Sequence, residues 1–201
     1  MTMMKNVRLG AIALLLIAGA TSCSRDTASS DSSMQPAKGS GVDTVAALHA
    51  ATPMGKVPSW ASAAAISSDL ACYGDTLSGN DGSQPGGVRR IASGKTMAFS
   101  GWAVDKSLPA GSSQAPALFV LTPRNRDGKA LYFQANRNER QDVTAAAQFA
   151  SIKPTMAGVT VNAATSGLPL GAYQAEVVVG EGSVGKKCSL GPSWIIEITS
   201  G

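Results

Sequence analysis

The chain has 201 residues, of which 44% are hydrophobic, 15% charged and 5% aromatic, and it carries a formal net charge of +4. That supplies enough apolar material for a globular core, while the excess of positive charge is too small to make a nucleic-acid footprint. One histidine and three cysteines leave little for imidazole catalysis, thiolate catalysis or soft metal sites.

In chain order, Lys5 and Arg8 precede an apolar run from Leu9 to Ala20. About a dozen apolar residues is the length of a signal-peptide core, and it falls short of the roughly 20 that span a bilayer. Ala20, Thr21 and Ser22 are small and stand directly before Cys23. This order resembles the lipobox of bacterial lipoproteins. The resemblance implies that residues 1–22 are a lipoprotein signal peptide, and that Cys23 begins the mature chain and carries the lipid anchoring it to a membrane. Ser24 follows, rather than an aspartate, which by the sorting pattern of such lipoproteins implies the outer membrane, on its periplasmic or its surface side. Removal of the leader takes Lys5 and Arg8 and no acidic residue, so the net charge falls to +2. The pairs Arg89-Arg90 and Lys186-Lys187 therefore read as solvated loop and strand-end charges, and no nucleic-acid partner is expected.

Residues 23–64 read as a flexible tether. "SRDTASSDSSMQPAKGSG" holds too few apolar side chains to offset the entropy of ordering it. "VDTVAALHAA" has helical spacing but stands alone between Gly- and Pro-rich stretches, and it contains the single histidine, His49. Trp60 is the odd aromatic in this region, placed to dock on the edge of the following domain.

Residues 65–201 read as one domain. "TMAFSGWAVD" and "KALYFQAN" alternate, "APALFVLTP" is a continuous apolar run, and "AGVTVNAAT", "GAYQAEVVVG" and "PSWIIEIT" complete a set of short strands. Turn-forming clusters lie between them: "GNDGSQPGG", "RNRDG" and "GEGSVG". Without long amphipathic helices, this pattern predicts an all-β, immunoglobulin-like antiparallel sandwich. "DVTAAAQFA" predicts one short helical insert, capped by Asp142 and burying Phe149. Cys72 and Cys188 flank almost the whole domain and, in an exported chain, are expected to pair as a structural disulfide.

The chemistry available to such a domain is narrow. It holds no imidazole for a Ser-His-Asp triad, and its two thiols are committed. Paired carboxylates would have to come from Asp69, Asp75, Asp81, Asp105 and Asp127, which fall near turns or strand ends and are expected to bond local backbone. "NDG" (80–82) and "NRDG" (125–128) lack the length and acidity of an EF-hand loop. No metal or other cofactor is expected.

One combination is more specific. "FSGWAVD" (99–105), "NRNERQDV" (136–143), "MAGVTV" and "LPLGAYQAEVVV" together resemble a GWA-x-D … R-x-D-V β-sandwich module appended to bacterial surface and glycan-associated proteins. Val159 stands where that pattern has phenylalanine. The resemblance covers most of 70–199 and implies an accessory or binding element rather than an enzyme. Read physically, Trp102 offers a large ring to the core, Asp105 ends a strand in a turn, and Arg140 forks onto Asp105 or a carbonyl while Asp142 bonds helix N–H groups. Trp102, Asp105, Arg140 and Asp142 are thus expected to form a structural latch holding the insert to the sandwich. The expected function is a non-enzymatic, lipid-anchored envelope protein whose sandwich is a structural or protein-interaction module. The alternative is a glycan-binding module that uses Tyr132, Trp60 or Trp194 as a stacking platform.

Overall fold

In the strand Thr96–Asp105, Met97, Phe99, Gly101 and Ala103 are buried while Thr96, Ala98, Ser100 and Trp102 are less so, the two-residue period of a strand with one face on a core. The computed structural model describes residues 50–79, 87–125 and 127–201, all within the unit Thr44–Gly201. The helical pattern at 42–51 falls almost wholly outside the described residues, as do the leader, Cys23, His49 and the "NDG" turn with Asp81.

The strands are β1 (Ala65–Ile66), β2 (Leu70–Ser78), β3 (Val88–Ala92), β4 (Thr96–Asp105), β5 (Ala117–Pro123), β6 (Leu131–Gln134), β7 (Asn136–Asn138), β8 (Gly158–Ala164), β9 (Gly171–Glu181), β10 (Val184–Ser189) and β11 (Ile195–Thr199). They form two sheets, as the pattern of short strands and turns predicts. The smaller is antiparallel throughout, in the order β2-β4-β8-β7. The larger has seven strands centred on β9, which pairs with β5 on one side and with β10 and then β11 on the other. Its margins depart from a purely antiparallel sheet, because β3 runs parallel to β11 and β1 parallel to β10. Between β6 and β7 the chain crosses from one sheet to the other at Ala135, which is buried and donates its N–H to Ala117 O at 3.1 Å.

Phe99, Phe119 and Phe133 meet in the space between the sheets: Phe99 and Phe119 lie 4.6 Å apart between centroids, and Phe119 lies 6.5 Å from Phe133. Tyr173, just after the start of β9, donates its hydroxyl to Pro169 O at 2.7 Å. That closure resembles the tyrosine corner of immunoglobulin-like sandwiches.

Apolar clusters also lie on both outer faces, and the one over β5 explains its continuous apolar run. Leu118, Val120 and Val178 point away from the central core, yet they are buried under Met54, Val57, Trp60, Ala64 and Tyr132. Strands with both faces covered read as continuous hydrophobic runs; at roughly 1.5–3 kcal/mol per fully buried aliphatic side chain, this second face is a substantial term. The expectation of a free tether up to residue 64 is therefore corrected for its last part. Ala51 N–H bonds Asn162 O, Met54 N–H bonds Tyr132 O, and the short helix α1 (Ser59–Ser62) lies on β9 and β10. There the Trp60 carbonyl sits where a side chain on Gly185 would go. On the other side, Val104, Val143, Phe149 and Ala157 form a cluster between the four-stranded sheet and the insert.

Cys72 on β2 is disulfide-bonded to Cys188 on β10, with Cα atoms 6.1 Å apart and a sequence separation of 116. Because β2 and β10 belong to different sheets, the bond staples the sandwich face to face. A loop of that length corresponds to roughly 4–5 kcal/mol in the chain-entropy account. The double variant Cys72→Ser/Cys188→Ser is expected to lose about 2–5 kcal/mol of stability by urea denaturation; an unchanged midpoint would show that the bond contributes little.

Candidate functional site

The outer face of the four-stranded sheet carries most of the side-chain chemistry. The alanine-rich insert begins as the helix α2 (Gln141–Ala145), turns extended at Ala146, and resumes as a 3-10 turn at Ala147–Phe149. One turn and a half of helix is too short to hold itself in water. The insert is held instead by packing and by one cation. Phe149 meets the Trp102 ring edge to face at 5.5 Å and 82°, and the break at Ala146 separates it from α2.

Arg140 is that cation. Its Nε donates to Asp142 Oδ1 at 2.8 Å and its Nη2 to Asp142 Oδ2 at 2.6 Å, a bidentate fork. Its Nη1 donates to Asp75 Oδ2 at 2.5 Å and points to Gly101 O at 3.5 Å. Asp75 sits where the β2–β4 register slips between Gly74 and Thr76; the bulge sets the extra residue toward the insert. The side-chain bonds from Asp142 and Asp75 raise the Arg140 pKa further above its already high value. The same Arg140 bond brings the Asp142 carboxyl down to about 2.

Two details of the expected latch are thereby corrected. Asp142 is in the first turn of α2 rather than at its N-cap, a position taken by Arg140 without any side-chain cap. Of the two partners expected for Arg140, a carbonyl is met by Gly101 O, but the carboxylate it reaches is Asp75 rather than Asp105, which lies at the far end of β4 and forms a latch of its own. Lys186 Nζ donates to Asp105 Oδ1 and Oδ2, both at 2.8 Å, and to Ser107 Oγ at 2.6 Å. Asp105 Oδ1 also accepts from the Ser107 N–H at 3.0 Å, the local turn bond expected of it. Burial alone would raise the Asp105 carboxyl, but hydrogen bonds from Lys186 and Ser107 outweigh it and hold the group below its usual value. Since β4 and β10 lie in different sheets, this ion pair also joins the layers. The basic pairs are likewise structural: Lys187 faces Glu176 at 3.4 Å, Arg90 pairs with Glu197 at 2.7 Å, and the Arg89 guanidinium lies 4.1 Å from the centroid of the Trp194 ring.

Trp102 does not face the central core. It stands on the outer side of β4, between the edge of Phe149 and the ring of Tyr73, which stacks on it at 6.3 Å and 24°. Tyr73 is 56% exposed. The aromatics expected to form a stacking platform lie elsewhere and are packed: Trp194 is 4% exposed, and Trp60 and Tyr132 pack against the outer cluster on β5 and β9.

Arg137 escaped the sequence reading. From β7 it donates to Ala115 O at 2.9 Å, Ala103 O at 3.1 Å and Ala157 O at 3.3 Å. It gathers carbonyls from three segments where the strands would otherwise splay, and burial pushes its pKa down to about 10. In "NRNER" nothing separates Arg137 from Arg140 except the two-residue period of a strand too short to be read.

Beside the insert is a groove of about 510 Å³ bordered by Arg140, Gln141, Thr144, Lys153, Thr155 and Met156, among others. Thr144 Oγ1 closes its floor by donating to Pro154 O at 2.7 Å. Lys153 and Met156 have φ of 46° and 53°, the non-glycine residues with positive φ among those described. Such conformations cost about 1–3 kcal/mol each and concentrate at sites of function. Among the described residues no group of three or more His, Cys, Asp or Glu side chains is placed to hold a metal ion, and no helix is long and apolar enough to cross a membrane. No protein-family model, curated protein or solved structure matches this chain.

Two outcomes follow. A group with a lowered folded pKa stabilises the fold above its unfolded pKa, near 4 for aspartate, and that contribution is lost as pH falls. Asp105 and Asp142 should therefore both weaken the fold on acidification, with the Asp142 window running from about 4 down to about 2. Lys186→Met should lower stability at pH 7 by roughly 1 kcal/mol and shrink the loss between neutral and acid pH, read from urea midpoints at the two pH values. Arg140→Ala should lower stability by about 1 kcal/mol and raise amide exchange across 141–149 while leaving β9 protected. An unchanged melting temperature with unchanged exchange would remove its role as a latch.

Proposed function

We propose that the protein is a non-enzymatic lipoprotein of the bacterial cell envelope, anchored by lipid on Cys23, whose sandwich is a binding module presented to a partner in the envelope. The observation that carries this reading is the Cys72–Cys188 disulfide, since such bonds persist in oxidising compartments and are rare in a reducing cytosol. It agrees with the charged, apolar and small-residue order that ends at Cys23. An outer-membrane location follows from Ser24 under the same sorting pattern.

A binding role is favoured by the way the fold spends its polar groups. Asp105, Asp142, Lys186, Arg137 and Arg140 are all tied to one another or to backbone, so they serve geometry rather than proton transfer. Arg140 and Asp142 hold in place one face, with the groove beside the insert and the exposed Tyr73 ring. The GWA-x-D … R-x-D-V resemblance points the same way: its Trp102, Arg140 and Asp142 are the residues that build this face.

Cell fractionation with a clickable palmitate analogue tests the anchor. The wild-type chain should label and pellet with membranes, whereas Cys23→Ser should remain unlabelled and keep its leader; equal behaviour of the two would overturn the lipoprotein reading. Crosslinked capture of the wild-type chain from intact cells tests the partner, which should be lost on disrupting the groove with Thr144→Arg.

A further inference from the structure

The Tyr73 ring poses a specific question, because an aromatic side chain this exposed on a strand face forgoes most of its burial. Its orientation is nevertheless fixed. Trp102, its cross-strand neighbour, packs alongside it with ring centroids 6.3 Å and planes 24° apart, and Phe149 in turn meets Trp102 edge to face. A ring held this way loses little conformational entropy when something covers it.

We infer that Tyr73, with Trp102 beside it and the Arg140-held carboxylates of Asp75 and Asp142 on the same outer face of the sheet, is a subsite for a neutral hexopyranose unit of a glycan. This names the ligand class of the binding module proposed above and rests on that reading, but it requires neither the lipid anchor nor a protein partner.

Three features select this occupant. A pyranose presents a face of C–H groups that is apolar and slightly electropositive, which complements the electron-rich face of an aromatic ring. Around that face runs a rim of hydroxyls needing fixed acceptors. Arg140 occupies only part of the lone-pair capacity of the two carboxylates, and an ionised carboxylate offers about four acceptor positions. The Asp142 side chain is 65% exposed, so the positions taken neither by Arg140 nor by the backbone N–H groups of Asp142 and Val143 face solvent. Finally, two carboxylates around one guanidinium leave a net negative charge, which disfavours uronic acids and phosphorylated sugars and selects neutral ones.

A protein partner fits this spot less well. The other large exposed hydrophobic residues, Ile66, Leu170 and Val184, lie on β1, before β9 and at the start of β10. Tyr73 is thus a single ring bordered by charge, rather than part of the broad apolar patch that marks protein interfaces.

The full mature chain would be titrated with chitotetraose, cellotetraose and maltotetraose by calorimetry, with tryptophan fluorescence reporting on Trp102. At least one tetramer should bind; Tyr73→Phe should preserve that binding, and Tyr73→Ala should weaken it about tenfold or more at an unchanged melting temperature. Asp142→Asn, which keeps an acceptor oxygen but loosens the Arg140 fork, should weaken it less. No binding of any tetramer at about 10 mM, which corresponds to less than 3 kcal/mol, would overturn the inference, as would equal binding by Tyr73→Ala. A monomer–dimer equilibrium abolished by Tyr73→Ala would also overturn it, by identifying a second copy of the chain as the occupant. A crosslinked partner retained while all tetramers fail would remove the sugar subsite and leave the binding-module reading standing.

Discussion

Trp194 enters the space between the sheets edge-on to Phe99, at 5.5 Å and 82°, and it fits there only because residue 74 has no side chain. A Cβ on Gly74 would overlap the indole ring, and one on Gly101, its partner across the strand pair, would strike the Tyr73 carbonyl. This contact sets which way β2 faces. With Gly74 turned inward, Cys72 also faces in and meets Cys188, while Tyr73 must face out. Asp75, two residues on from Tyr73, faces out as well and finds Arg140, and the bulge there breaks the alternation once, so that Leu77 turns back to the core. A slip of one residue would reverse every one of these assignments. The disulfide, the Arg140 anchor and the exposed ring therefore share one cause.

The same packing explains how a domain with few aromatics closes well. Phe99, Phe119 and Phe133 fill the centre, and the margins are held by directed polar contacts. Lys186 crosses from β10 to Asp105 on β4, Cys188 crosses to Cys72, and Arg137 collects three carbonyls at the point where β4, β8 and the entry to β5 converge. Removing one member of such a set leaves a desolvated partner, which costs more than the contact itself contributes.

Much of the fold was legible in the sequence, and what was missed has physical reasons. β4 was readable because its alternation is uninterrupted, and β5 and β9 because they are buried on both faces. β2 was not, since Gly74 and the bulged Asp75 break its period for the sake of Trp194 and Arg140. β3 and β10 were hidden by Arg89-Arg90 and Lys186-Lys187, which look like loop charges until their partners Glu197, Asp105 and Glu176 are in place. The importance of Arg140 and Asp142 could be read locally, as a pair two residues apart. Their third member could not, because Asp75 lies 65 residues away from Arg140 in sequence. Trp102 was read as core because large rings usually are, and only the insert, by supplying Phe149, gives it a dry surface on the outside.

The two outer faces of the sandwich are covered unequally. The seven-stranded sheet is sealed by the chain that precedes it: Met54, Val57 and Trp60 close over Leu118, Val120 and Val178. The four-stranded sheet is covered only in part, by an insert too short to be stable alone and fastened at Arg140. Where that cover ends, Tyr73 is bare on one side and the groove opens on the other, bordered by residues in left-handed conformations. A fold selected for stability alone would extend the insert by one more turn over the ring and relax Lys153 and Met156 with glycine. Leaving both undone has an energetic cost that stability alone does not explain.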